Sequence, residues 1–374
     1  MTNQPSLLNW DAAAVLAGQL APAGPKISPA QMRAAVEEMR YLAHAAVDQV
    51  YSITGLDAAR DLHDAQVLIV DRASWAKANA QSFAVMFDPM GESLMGTKFS
   101  QLSPLQSQLV TKTATAELAG VLAYLSTRVL GQYDPYAALA GYGAEGGRLL
   151  VLAPNLLSLE QELKVDSKDF RLWVCLHEQT HRVQFAAAPW LRQYLLDLML
   201  EFAANLGDET EGLMGRAITA AVVAQDKPET AGEKARGAEL MLNDAARQTV
   251  SRITAIMSLL EGHANAVMDA VDPTVIPSVK TIRQRFNRRS ETQKFLTKFM
   301  TKFLGLDRKL KQYKNGQKFV QYIITEQGMH SFNRIWQQPE NLPSEHEIHH
   351  PQLWIDRVLG QGHSRPDQQP DLDR

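Results

Sequence analysis

The chain has 374 residues, 45% hydrophobic and 21% charged, with a formal net charge of −3. That is an ordinary globular composition, large enough for two core-bearing lobes or one large domain, and nothing in its overall charge calls for nucleic acid. Met1 to Leu20 lacks a basic stretch followed by a long apolar one, and no window approaches 18 uninterrupted apolar residues. The one cysteine, Cys175, cannot form an internal disulfide, so the expectation is a cytoplasmic protein with neither signal peptide nor membrane span.

Trp10 to Leu20 reads as a short helix, broken by Ala21-Pro22-Ala23-Gly24-Pro25. Ser28, followed by Pro29, starts a second helix whose apolar positions Met32, Ala35, Met39, Leu42, Ala46 and Val50 recur at helical spacing. Gln66 to Val70 is the first strand, and Asp71 caps a helix carrying Trp75, Asn79, Phe83 and Met86 on one face. A long helix is expected from Ser103-Pro104 to about Val129, and Leu130 to Pro135 reads as a turn. The glycines between Gly141 and Gly147 lack the strand–Gly-x-Gly–helix order of a nucleotide loop, and read as a turn into a strand, Arg148 to Leu152.

The next helix carries the most specific pattern in the chain. Asp166 or Ser167 caps it, Asp169 puts negative charge in its first turn, and Pro189 closes it. Within it lies His177-Glu178-Gln179-Thr180-His181, a match to H-E-x-x-H. Four residues make just over one helical turn, so both imidazoles point from one face toward a single point, where each offers a nitrogen to zinc. Glu178, offset by one position, lies beside the water that such a metal activates, and can take its proton. Cys175 sits about 200° from His177 around the helix axis and is read as a core residue.

Trp190 to Ala204 is another apolar helix. Residues 205–240 are polar and small, apart from a short helix around Ile218 to Ala224, and are expected to form a mobile flap near a cleft. Helicity returns from Leu240 through Val271. Residues 280–318 hold 13 Lys and Arg against Glu291 and Asp307, with aromatic residues interleaved, and read as an amphipathic helix pair with a basic face. Residues 339–359 read as a loop with a short docking helix, and 360–374 as a disordered tail. The expected division is a mostly helical N-terminal lobe, 1–160, whose strands contribute to a cleft, and a zinc-binding helical lobe, 161–359.

Two histidines and a water leave a tetrahedral zinc one protein ligand short. Leu259 to Asp269 offers the strongest candidate: Glu261 opens a small-residue turn in an otherwise apolar helix, where a lone carboxylate is expensive. Gly262, Ala264 and Ala266 let another helix approach closely. Asn265, one turn on, or Asp269, two turns on, can hydrogen-bond a ligand histidine. His263 competes for the metal, but lies about 200° from Glu261 around the helix, so a regular helix cannot aim both at one ion. The alternative for Glu261 is an ion pair with Arg247 or Arg252.

The pair H-E-Q-T-H and, far downstream, E-G-H-A-N resembles the gluzincin type of zinc metallopeptidase. More closely, the chain resembles a family of zincin-like hydrolases of actinobacteria and related bacteria. The matching stretches are Val70-Asp71-Arg72-Ala73-Ser74-Trp75, Val129 to Pro135, the metal helix, Leu260 to Ala264, and Leu306 to Gly316. The resemblance implies a mainly α fold with a small β-sheet, an α+β zincin-like architecture, and one zinc held by His177, His181 and Glu261. It departs from many gluzincins at Asn265, where those have aspartate. By analogy with zinc peptidases, the strand Arg148 to Leu152 is expected to line the cleft and pair with an extended substrate.

The expected activity is hydrolysis of a peptide or amide bond with Glu178 as general base, and Tyr313, His263 and His330 are eligible to face the oxyanion. The alternatives are a catalytically silent zincin-fold binding or regulatory protein, and a polyanion binder using residues 280–318.

Overall fold

In a computed structural model, the structure describes residues 8–60, 62, 65–100, 102–205, 243–289 and 313–360. The expected flap and its short helix, residues 290–312 of the basic block, and the tail past residue 360 lie outside the described residues. Local sequence signals set most helix ends. α1 (Trp10–Leu20) is capped by Asn9. α2 (Pro29–Thr54) starts with a reciprocal capping box, in which Ser28 and Gln31 each bond the other's backbone. After β1 (Gln66–Val70), Asp71 caps α3 (Arg72–Ser100) through the Ser74 N–H. Ser103 and Gln106 form a second capping box on α4 (Pro104–Ser126).

β2 (Gly131–Asp134) comes next, then β3 (Arg148–Leu152) and α5 (Ala153–Leu163). The remaining helices are α6 (Ser167–Ala187), α7 (Leu191–Asn205), α8 (Asp244–Asp269), α9 (Val279–Arg289) and α10 (Tyr313–Phe332). Two short helices, α11 (Glu345–His349) and α12 (Pro351–Trp354), run into a single wide turn at Ile355–Leu359. The fold is mainly α with one small sheet. No helix among the described residues is long and apolar enough to cross a membrane.

The sheet has the order β1-β3-β2, with β1 parallel and β2 antiparallel to β3. Every residue of β3 is buried, which explains its unbroken apolar run. Leu149 and Val151 face a large core shared by α2, α5, α6, α8 and α10, whereas Leu150 and Leu152 face a smaller core under α1, α3 and α4. The sheet therefore separates two helical layers.

Two expectations change here. Gly131 to Asp134 is a strand, not part of a turn. Nothing local makes it one; pairing to β3 and side-chain anchors to α3 do. Gln132 bonds Trp75 and Asn79, each at 2.9 Å, and Asp134 takes Ser82 at 2.6 Å and the buried Arg148 guanidinium at 2.9 Å. Consequently β3 is the central strand, with both edges already paired, and cannot pair with a substrate. β2 is the edge strand on that side.

Candidate metal centre

α6 is capped by Asp166, whose carboxylate accepts the Asp169 N–H at 2.9 Å. Its middle runs between the sheet and α8, so Gln179, Thr180 and Gln184 are as buried as its apolar residues. α8 carries Glu261 across it. α8 is itself seated by a backbone-to-backbone contact with α10 at two glycines. A Cβ on Gly262 would lie 2.6 Å from the Gln317 nitrogen, and one on Gly316 would lie 2.7 Å from the Ser258 carbonyl carbon.

The structure brings His177, His181 and Glu261 together. The two Nε2 atoms are 3.2 Å apart, and Glu261 places Oε2 3.7 Å from His177 Nε2 and Oε1 3.6 Å from His181 Nε2. Zinc with nitrogen and oxygen ligands at about 2.0–2.2 Å in a tetrahedral array sets them about 3.3–3.6 Å apart, so the three donors fit the ion. Among the described residues, this is the group of three that could hold a metal. The side chains of His177, His181 and Glu261 are 24%, 15% and 21% exposed, so the group opens to solvent on one side. Arg252 pairs with Glu201 at 3.1 Å and Arg247 with Asp244 at 2.9 Å, so both are engaged away from Glu261. Burial, then the charges of His181 and Arg283, hold His177 well below its ordinary pKa, leaving its ring neutral.

Glu178 is buried beside this group. Burial and the nearby Glu261 push its pKa up to about 8, against the opposing effect of a hydrogen bond from the Tyr133 N–H. That bond follows from the register of β2. The Leu152 N–H donates to the Leu130 carbonyl at 2.9 Å, so by antiparallel alternation the backbone groups of Gly131 and Tyr133 point away from β3. Gly131 also faces α6, where a Cβ would lie 2.5 Å from Glu178 Cγ and 3.0 Å from Oε1. Only glycine leaves the glutamate this space.

The outer nitrogens of the two histidines find partners that spacing does not reveal. His177 Nδ1 lies 3.1 Å from the sulfur of Met268, and His181 Nδ1 lies 3.0 Å from Gln184 Oε1. Neither Asn265 nor Asp269 takes that part. The Asn265 amide donates to the Glu261 carbonyl at 2.8 Å, and Asp269 pairs with Arg283 at 2.8 Å and accepts from Gln317. Of the groups eligible to face an oxyanion, His263 is fully buried behind His181, with its pKa lowered to about 3 by burial and then by His181. It does not face the cleft. His330 is exposed, and the Tyr313 side chain lies outside the described residues.

The H-E-x-x-H spacing also occurs a second time, at His346-Glu347-Ile348-His349-His350 in and just past α11. The rings of His346 and His350 lie 4.6 Å apart, against 4.7 Å for His177 and His181. No third ligand joins them among the described residues.

The chain belongs to the zincin-like metallopeptidase family, whose model matches residues 8–355. Among solved structures it resembles "a putative hydrolase with a novel fold" from Chloroflexus aurantiacus. That chain is 29% identical, with a TM-score of 0.67, and the match covers 94% of this chain and 98% of the other. No curated protein matches the chain significantly.

Proposed function

We propose that the protein is a zinc-dependent hydrolase acting as a metallopeptidase on a peptide or amide bond. His177, His181 and Glu261 would hold the zinc and Glu178 would be the base. The observation that carries this reading is the convergence of the three donors beside a glutamate with no cation partner among the described residues, next to the edge strand β2. When bound, zinc supplies the Lewis acid that acidifies a water and polarises the scissile carbonyl. With the zinc charge beside it to favour its ionised form, Glu178 would take a proton from the attacking water and return it to the leaving nitrogen. The Tyr133 N–H steadies one carboxylate oxygen, and Gly131 provides the space in which the side chain lies. An extended peptide can pair with the edge groups of β2 other than the Tyr133 N–H, which Glu178 occupies, and bring its scissile bond past Glu178. With a single cysteine the chain has no internal disulfide, as is usual in reducing compartments, and we place the activity in the cytoplasm.

The test is cleavage of a mixed peptide library followed by mass spectrometry, with zinc content measured on the same samples. The wild type should cleave, and Glu178→Gln should lose about 10²–10⁴-fold in rate while retaining zinc. A zinc-loaded wild type that cleaves nothing would leave the silent binding protein as the better reading.

A further inference from the structure

One buried histidine has no part in this chemistry. His263 is on α8, two residues past Glu261 and turned away from it. Its ring packs against Phe332 and Trp336, with centroids 5.2 and 5.3 Å away. Nε2 has no hydrogen-bond partner among the described residues, and Nδ1 lies 3.0 Å from Gln184 Nε2. Gln184 is fully buried, three residues after His181.

A single backbone carbonyl determines where the protons sit. The Leu260 oxygen can only accept, so the Gln184 atom 2.9 Å from it is the amide nitrogen. That same amide nitrogen faces His263 Nδ1, which must therefore accept, and the His263 proton lies on Nε2 beneath the aromatic rings. The remaining Gln184 atom, Oε1, is 3.0 Å from His181 Nδ1 and accepts its proton. His181 Nε2 is thereby left with a lone pair on the side of His177 and Glu261. A neutral histidine in water favours the opposite tautomer, with the proton on Nε2, and that proton would block a metal. A flipped Gln184 would set its oxygen against the Leu260 oxygen, so the carbonyl forbids the error. The unpaired Nε2–H of His263, otherwise an expensive buried donor, is what remains when Nδ1 is required as acceptor.

We propose that Gln184, oriented by the Leu260 carbonyl and with His263 Nδ1 as its second acceptor, forms a positioning relay that fixes His181 as the Nδ1–H tautomer before any metal arrives. The functional importance of the relay rests on the reading of His181 as a zinc ligand, but the tautomer itself does not. The experiment uses the full chain stripped of metal, with nitrogen-15 in the histidine rings, and reads each tautomer by NMR. His177, whose outer nitrogen meets Met268, is the internal control. His263→Leu leaves the Leu260 carbonyl to orient Gln184 and should keep His181 as Nδ1–H; in Gln184→Met a substantial share of His181 should move to Nε2–H while His177 stays unchanged. Zinc affinity of Gln184→Met, measured by chelator competition, should fall about 10–100-fold. Persistence of Nδ1–H on His181 in Gln184→Met would overturn the relay, as would its release in His263→Leu or His177 and His181 changing together. An altered His181 tautomer with unchanged zinc affinity would uphold the relay and sink the ligand assignment instead.

Discussion

Two segments of this chain share the spacing H-E-x-x-H, and among the described residues only one meets a third group that could complete a metal site. His177 and His181 lie in the middle of a 21-residue helix packed on both sides, whereas His346 and His350 belong to a five-residue helix, and His350 is already past its end at φ −130°, ψ 71°. The glutamates differ more. Glu178 takes one backbone N–H, from Tyr133. Glu347 completes a capping box with Ser344 at 2.8 and 3.0 Å and binds Arg357 at 2.6 and 3.0 Å, which consumes its oxygens. The first pair has a carboxylate facing it from another helix and the second has none among the described residues. Spacing brings two imidazoles together; a centre also needs an acid from elsewhere in the fold and a glutamate left without a cation.

The sharpest way to break this comparison is to remove one histidine from each pair. His181→Ala should lower zinc affinity by more than the roughly 100-fold that loss of a supporting residue brings, while His350→Ala should leave affinity and stoichiometry unchanged. Elemental analysis and chelator competition decide it, and equal losses from both pairs would erase the distinction. Next in size is Gly131→Ala. The added methyl meets Glu178 and no proposed ligand, so hydrolysis should fall about 100-fold, as for a base misplaced by about 1 Å, with zinc affinity preserved. A parallel loss of zinc would mean that Gly131 supports the ligands and not the base.

Much of the scaffold around the first pair is legible locally. The boxes at Ser28 and Ser103, the cap at Asp166, and the runs Gln66 to Val70 and Arg148 to Leu152 each state their structure within a few residues. What escapes is decided at a distance. Gly131-Gln132-Tyr133-Asp134-Pro135 has the residues of a turn and becomes a strand only because β3 and α3 hold it. Gln184 looks like a solvated helix residue until α8 is known to cover it. A thioether partner for His177 has no signature in spacing at all. Nor does spacing say that the second pair's glutamate answers to Arg357, since ten residues and a change of helix separate them.

Glu261, the proposed third ligand, reaches the first pair through the glycine crossing, which gives a smaller test. Gly262→Ala forces α8 and α10 apart and should destabilise the fold by about 1–3 kcal/mol, measured by denaturant unfolding. No change in midpoint would mean the crossing is looser than its contacts require. Smallest is the acid response of the second segment. Burial alone would raise the Glu347 pKa, but Arg357 and Ser344 outweigh it and hold the group below the ordinary value of 4.5. A carboxylate lowered on folding stabilises the fold above its unfolded value and loses that contribution as pH falls through the folded one. The wild type should shed this part of its stability below about pH 4.5, and Glu347→Gln should lack that step while hydrolysing at the wild-type rate. Identical acid unfolding curves would show that the ion pair contributes nothing measurable.

At Gly262 and Gly316, backbone meets backbone with no layer of side chains between them. Side chains can change rotamer to let two helices slide, but bare peptide planes have no such slack, so this stretch of α8 should open to solvent only when α10 leaves with it. The amides around Ser258 to Gly262 and those following Gly316 should then exchange their hydrogens for deuterium as one unit, at a common and slow rate. Because Glu261 sits inside that unit, the third donor is fixed to one of the parts of the molecule that opens least often.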